Sequence, residues 1–414
     1  MQVSTSSFVL GLSLLVLSSC GSPVLAPRGG PVPPAVCAGG SPVVESIFLI
    51  GDAGDPALPV GESEELVDPV LLALQRDVAA SVASLGVKHV HTIFLGDNVY
   101  WDGLPPKGHP DRPERERKLQ AQITASAPAA AIFTMGNHDW HIEGPEGWMR
   151  AVAQRNFLRT FSPRVTMHPP GGCAGPDHVD VGEHLRIVFI DLLGFDHAVE
   201  DPIEHRKACS GRKPLEAYYD LAAEFDFAGT RHTALAMHHP LLTAGPHGGH
   251  YTWKQHIFPL TDFWPWAWLP LPVIGSAYPL SRQLGVTGTD VSSDRYKRDI
   301  RGVYRAATPW APGVFIAGHE HSLQLHRDYT GTYYVVSGAG SANKVDRVEA
   351  DELDTVMLAA AQAGYMRLDV QQDASLELTA TAVSDGGETA ELIRHCLANG
   401  PPVRRRRTEP TYQR

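Results

Sequence analysis

The sequence lacks an N-terminal apolar run long enough to cross a bilayer as a helix: Phe8 to Leu17 falls short of the roughly 20 residues a span requires. It also lacks a surplus of positive charge. Thirty-five Lys and Arg against 46 Asp and Glu give a formal net charge of −11, which argues for solubility and against a nucleic-acid partner, since such a partner wants a basic face. Cysteine is scarce, five in 414 residues, and none falls in the CxxC spacing of zinc sites. The Gly-x-Ser-x-Gly elbow, the His-Glu-x-x-His helix and the Walker loop are all missing, so three common kinds of hydrolase find no foothold. An apolar share of 43% is ordinary for a globular protein with a substantial core.

What is present begins with a processing signal. The run ends in Leu17-Ser18-Ser19-Cys20, which resembles a bacterial lipobox, with small residues for the peptidase and a thiol for the lipid. Residues 1–19 read as a signal peptide, although Met1 to Ser7 carry no Lys or Arg; a plain secretory signal with a chance cysteine is the other reading. The expectation is a cell-envelope lipoprotein, secreted across the inner membrane and held in the periplasm or on the outer membrane through a lipid anchor on Cys20. Residues 20–42, rich in Pro, Gly and Ser, read as a flexible tether. With Cys20 lipidated, Cys37, Cys173, Cys209 and Cys396 remain in an oxidising space. Three pairings are open, and Cys173–Cys209 with Cys37–Cys396 is favoured because it ties both chain ends to the body.

Short apolar runs then alternate with helical patterns. Val43 to Ile50, Val90 to Leu95 and Ala129 to Met135 read as buried strands, each stopped by a glycine. Glu62 to Leu85 and Arg112 to Gln122 read as helices between them. Leu185 to Leu192, Arg231 to Met237 and Gly313 to Ala317 are strand-like, with a helix over Leu215 to Phe227. After residue 322, the runs Leu323 to Tyr329, Tyr333 to Ser337, Gly364 to Val370 and Ser375 to Val383 look antiparallel. The pattern predicts one α/β domain over residues 43–396, a four-layer α/β/β/α sandwich of two mixed sheets with flanking helices and a site on loops at the strand C-termini. Residues 250–299, which hold four of the eight tryptophans, read as an insertion or cap near that site. Residues 397–414, with Arg404 to Arg407, read as a disordered basic tail.

Five motifs sit on the loops that follow the strands: Gly51-Asp52-Ala53-Gly54, Gly96-Asp97-Asn98-Val99-Tyr100, Gly136-Asn137-His138-Asp139, His238-His239-Pro240 and Gly318-His319-Glu320-His321. A single Gly-Asp after a strand is usually a turn; five in series are hard to explain as turns. Two aspartates and a tyrosine brought together would raise one another's pKa, more so in apolar surroundings. Cations invert that repulsion, and oxygen donors mixed with imidazoles suit iron, manganese or zinc.

The five motifs, in this order, resemble the calcineurin-like metallophosphoesterases and, within them, the purple acid phosphatases. Gly54 stands where most of the superfamily has a histidine, and Tyr100 stands where the purple acid phosphatases place their replacement ligand. Gly318 to Gln324, followed by Ser337-Gly338-Ala339-Gly340, is similar to the small tartrate-resistant type. The resemblance implies two metal ions, Fe(III) with Fe, Zn or Mn. Asp52, Tyr100 and His321 would hold the first, Asn137, His238 and His319 the second, and Asp97 would bridge. His138 and His247 would act on the substrate, with His250 an alternative to His247 and Asp139 orienting His138. The implied activity is hydrolysis of a small phosphorylated substrate by a water the cations activate, most readily a phosphomonoester. A phosphodiesterase or nucleotide hydrolase is the alternative, and a non-catalytic surface lipoprotein with a structural metal site is a third. No protein partner is expected. The stretch between His247 and His319 is much longer than in the tartrate-resistant type, so chemistry transfers better than specificity.

Overall fold

The computed structural model describes residues 24–25, 36–61, 63, 65–142, 146–195, 209, 213–262, 266–284, 290, 293–310, 313–341, 345–349 and 355–402. The expected signal peptide, Cys20, most of the tether, Trp264 and Arg404 to Arg407 lie outside the described residues.

The strands are, in chain order, β1 (Val24–Leu25), β2 (Val43–Ile50), β3 (Val90–Leu95), β4 (Ala130–Thr134), β5 (Val165–Met167), β6 (Asp177–Val181), β7 (Leu185–Phe189) and β8 (His232–Ala236). They continue with β9 (Val314–Ala317), β10 (Leu323–Arg327), β11 (Tyr333–Ser337), β12 (Val356–Ala360), β13 (Gly364–Gln371), β14 (Leu376–Val383) and β15 (Thr389–Ala398). The helices are α1 (Pro69–Leu85), α2 (Arg112–Ser126), α3 (Gly147–Leu158), α4 (Pro214–Asp226), α5 (Trp253–Ile257), α6 (Ala277–Gln283) and α7 (Asp294–Ala307).

One sheet runs β15-β14-β13-β2-β3-β4-β5, and the other β1-β12-β10-β11-β9-β8-β7-β6. Each has a parallel part, β2-β3-β4-β5 in one and β7-β8-β9-β11 in the other, flanked by antiparallel strands. Side chains alternate across each strand. Along β2, Phe48 and Ile50 pack with Val70 and Leu74 of α1, Leu119 of α2 and Ala151 of α3. Ile47 and Leu49 point the other way, into a core shared with Ile187, Phe189, Ala234 and Ile316 of the second sheet. That sheet's far face sets Val188, Leu235 and Phe315 against Leu221 and Phe225 of α4 and Val303 and Ala307 of α7. The four layers expected from the alternating pattern are all there.

Three differences have local causes. Helix α1 begins at Pro69, not at Glu62: the Asp68 carboxylate accepts the amides of Val70 and Leu71, each at 3.0 Å, and proline suits the first helical position. The expected insertion ends inside a layer. Ser293 Oγ accepts the Tyr296 amide and opens α7, whose Tyr296, Val303 and Ala307 are buried. The segment 389–398 belongs to β15, paired along β14, so regular structure reaches past residue 396. Upstream, Trp253, Trp266, Trp268 and Ile274 stay exposed. Among the described residues no helix is long and apolar enough to cross a membrane.

The favoured cysteine pairing forms. Cys37 joins Cys396 and Cys173 joins Cys209, with Cα separations of 4.8 and 5.4 Å. In chain-entropy terms the shorter loop alone is worth about 4 kcal/mol.

Candidate metal centre

The loops after β2, β3 and β4 meet those after β8 and β9 at one edge of the sandwich. Backbone bonds stitch the two sheets there: the Gly51 amide donates to the Ser337 carbonyl at 2.6 Å, and the Gly340 amide to the Gly51 carbonyl at 3.0 Å. Asp52, Asp97 and His319 all take left-handed backbone, with φ of 58°, 52° and 70°. That conformation is uncommon for residues other than glycine, and here it turns each side chain back over the sheet edge.

Gly54 of the first motif sits in a tight cradle. A Cβ at that position would lie 2.4 Å from the Asp97 carbonyl oxygen and 2.6 Å from the Asn98 carbonyl carbon, so no side chain fits. The Tyr100 amide donates to the Gly54 carbonyl at 3.0 Å. Tyr100 Oη donates to Asp52 Oδ1 at 2.9 Å and lies 3.2 Å from His321 Nε2, which is itself 3.4 Å from Asp52 Oδ1.

A second triad stands beside the first. Asn137 Oδ1 lies 3.0 Å from both His238 Nε2 and His319 Nδ1, and those two nitrogens are 3.3 Å apart. Asp97 joins the groups: its Oδ1 is 3.4 Å from His238 Nε2, and donor atoms of Asp52, Asp97 and His238 lie within 4.8 Å of one another. All seven residues named from the motifs therefore converge.

The donor set fits cations better than it fits itself. His238 Nδ1 donates a hydrogen bond to the Leu95 carbonyl at 2.8 Å, which leaves Nε2 facing the oxygens of Asn137 and Asp97; burial opposes charge on the ring, yet the Asp97 and Asp52 carboxylates raise its pKa. Burial, then the Asp52 and Asp97 carboxylates, push the Tyr100 phenol well above its ordinary pKa. Burial and the surrounding imidazoles hold His319 well below its own. Two buried carboxylates beside a phenol repel as the phenol loses its proton, and positive charge entering the cluster offsets that repulsion. His321 is oriented by a residue the sequence did not reveal, Asp346, whose Oδ2 lies 3.1 Å from His321 Nδ1. A carboxylate there leaves Nε2 facing the centre.

His138 and His247 are partly exposed where Asp52, Asp97 and His238 are buried. His138 Nδ1 is 2.6 Å from the Trp101 carbonyl, which gives the ring its orienting bond. Asp139, expected in that role, instead turns its carboxylate to the amides of Asn98, Val99 and Gly136 and to Asn98 Nδ2, at 2.9 to 3.1 Å. It ties the Asp97 loop to the Asn137 loop. Consecutive residues on a tight loop point apart, and Asp139 follows the loop. Asp139→Ala strands four donors, so it is expected to lower the melting temperature by several degrees, about 2–3 kcal/mol, measurable by calorimetry of the metal-free protein. His247 lies with its ring centroid 4.1 Å from that of His319 and 6.3 Å from that of His321. His239 packs on His319 and Tyr296 as a buried spacer.

No known family profile matches this sequence, and no curated protein matches it. Solved structures do. A purple acid phosphatase from yellow lupin (Lupinus luteus) seeds superposes with TM-score 0.50 at 12% identity, over 86% of this chain and 54% of that one. PhoD superposes with TM-score 0.51 at 12% identity, over 87% and 73%. The chain thus spans about half the length of the lupin protein. Likeness at such identity is a likeness of fold. The two facing mixed sheets are a fold that this chain shares with the lupin purple acid phosphatase and PhoD.

Proposed function

We propose that the chain is a dinuclear-metal phosphoester hydrolase, most simply a phosphomonoesterase of the purple acid phosphatase kind. The carrying observation is the pair of triads, Asp52/Tyr100/His321 and Asn137/His238/His319, with Asp97 reaching both. In this reading Fe(III) takes the tyrosine-bearing triad and Fe, Zn or Mn the other. Two cations so held would supply Lewis acidity toward phosphate oxygens and lower the pKa of a water within their reach. The chain's own residues then have separable tasks. The partly exposed rims of His138 and His247 meet a phosphate arriving from solvent. With Nδ1 engaged by Trp101, His138 turns Nε2 to the site, where it can steady a phosphate oxygen or protonate the leaving alkoxide. The buried donors stay fixed while the rim residues do the proton work. Export and a lipid anchor on Cys20 belong to the same proposal: phosphate scavenging outside the cytoplasm.

A phosphodiesterase or nucleotide hydrolase has one observation in its favour. Trp101, 58% exposed, stands edge-on to His138 with ring centroids 5.4 Å apart, and offers a stacking face beside the site. A panel of p-nitrophenyl phosphate, bis-p-nitrophenyl phosphate and nucleotides separates the readings. Hydrolysis of none by metal-loaded protein would leave a structural metal site.

Metal identity has its own test. Iron-loaded protein is expected to show a visible tyrosinate-to-iron charge-transfer band. Tyr100→Phe should lose that band and at least about 10-fold in kcat. An iron-loaded wild type without the band would correct the subgroup and leave the fold untouched.

A further inference from the structure

We propose that the edge of the sandwich carrying the metal centre docks on a lipid surface through the Trp-rich insertion. The inference rests on the lipid anchor at Cys20 put forward above. It gives the insertion, which the family resemblance left without a task, a partner of stated chemistry.

Topology decides which edge faces the anchor. Strand β9 runs into the Gly318-His319 loop, so its C-terminal end marks the edge that carries the centre. β11 lies parallel to β9, β10 antiparallel to β11, β12 antiparallel to β10, and β1 antiparallel to β12. Two reversals bring β12 back toward the centre, and the third makes β1 start there. Val24 pairs with Ala360, and Ala360 with Leu323, two residues after His321. Two strand spacings, about 10 Å, separate those backbones. Four residues of extended chain reach at most about 14 Å, which bounds the distance from Val24 to Cys20. A tether expected to run free through residue 42 is therefore pinned four residues after its lipid, beside the centre.

The insertion stands at the same edge. It leaves after β8, which is parallel to β9, and it stays near the centre: Arg282 Nη2 and Asp290 Oδ1 lie 2.8 and 3.1 Å from His247 Nδ1. Among the described residues, eight of the 18 large apolar side chains that are exposed fall within 253–284. Trp266 is 79% exposed and Val273 87%. Internal bonds gather the segment into one unit: Phe258 and Trp268 meet edge-on at 5.4 Å, and the Leu271 amide donates to the Ile257 carbonyl at 2.7 Å. So much apolar surface in one place marks a site of attachment. Two features name lipid as its occupant. Tryptophan with Leu, Ile and Val is the set that settles at the boundary of headgroups and acyl chains. Residues 250–284 also hold a single carboxylate, Asp262, in a chain with 46, while Lys254 is exposed next to Trp253. An acidic protein thus turns its least acidic stretch to an anionic surface.

The test uses the full chain with vesicles of phosphatidylethanolamine and phosphatidylglycerol, part of the lipid brominated near the headgroup end of its acyl chains to quench tryptophan. No tryptophan precedes Trp101, so an anchored N-terminus alone gives no signal. Brominated lipid is expected to remove about a third of the fluorescence. Leu269→Glu with Ile274→Glu keeps every tryptophan and should cut that quenching at least about 3-fold. Both side chains are exposed, so the melting temperature should stay within about 2 °C. Fluorescence that ignores brominated lipid, or quenching equal in the two proteins, overturns the inference. So does an unquenched wild type that light scattering shows to be a dimer and the double substitution dissociates: a second copy would then cover the patch. Mass spectrometry of the peptide bearing Cys20 tests the anchor by itself. Quenching without the acyl group would keep the docking and remove the anchor, and an acylated chain without quenching would do the reverse.

Discussion

Asp97→Ala is expected to abolish phosphoester hydrolysis and to release both metal ions. Asp97 Oδ1 lies 3.4 Å from His238 Nε2 in one triad, and the same carboxylate is among the charges that raise the Tyr100 phenol in the other. A carboxylate placed between the two triads would offset the mutual repulsion of two cations held there, and its loss would leave that repulsion unopposed. Loss of kcat/KM should reach at least about 1000-fold, or about 4 kcal/mol of transition-state stabilisation. Elemental analysis should find metal content falling from about two ions per chain to below about one. The rise in melting temperature on adding metal should disappear with it, because binding to the folded state is what produces that rise. The melting point of the metal-free protein should fall only modestly, since losing the bond that the His138 amide makes to Asp97 Oδ1 is partly offset by relief of carboxylate repulsion. Retention of two ions and substantial activity would refute the bridging assignment.

That reading depends on residues whose legibility in the sequence was uneven, for physical reasons. Candidate donors at strand ends were readable because β2 and β3 announce themselves. Val43–Ile50 and Val90–Leu95 are apolar runs cut by glycine, and the structure keeps both boundaries. A donor placed right after such a run has few directions to take. Asp346, Arg282 and Asp290 were not readable. They lie on irregular segments, no periodicity fixes where they go, and their partners sit 25, 35 and 43 positions away. Asp139 misled because adjacency in sequence suggested a bond to His138, while the loop turns the two side chains apart. Helix α7 was missed for another reason: Tyr296, Val303 and Ala307 carry a helical apolar face, but the tryptophans and prolines just upstream dominated the segment. The short strands β5, β6 and β12 hold three or five residues each, too few for an alternating pattern to stand out.

Gly136→Ala is expected to damage the centre almost as severely as removing a ligand, though the residue itself binds nothing. A Cβ there would lie 2.3 Å from both the amide nitrogen and Oδ1 of Asp97, and 2.9 Å from His238 Cε1. Gly96 faces the same crowding, its Cβ position 2.6 Å from His238 Nδ1 and 2.8 Å from the Gly136 amide nitrogen. Space, not unusual backbone, is what Gly136 provides: it is absent from the residues of positive φ, whereas Gly96 has φ of 90°. The clash is with backbone that the sheet holds in register, so relief requires the Asp97 and Asn137 loops to part. Parting them breaks the Asp139 bonds that join these loops and pulls Asp97 from His238. The expected cost is about 2–3 kcal/mol in the metal-free protein, with loss of the metal-induced rise in melting temperature and of activity. Gly313→Ala is the contrasting change. Nothing lies within 4 Å of its Cβ position and its φ is ordinary, so stability should stay within about 0.5 kcal/mol or rise slightly as the unfolded chain loses freedom. Paired thermal melts of the two variants, with and without added metal, check both signs. A Gly136→Ala protein that melts and binds metal like the wild type would mean that the two loops are not packed backbone to backbone, and the proposed bridging position of Asp97 would lose its support.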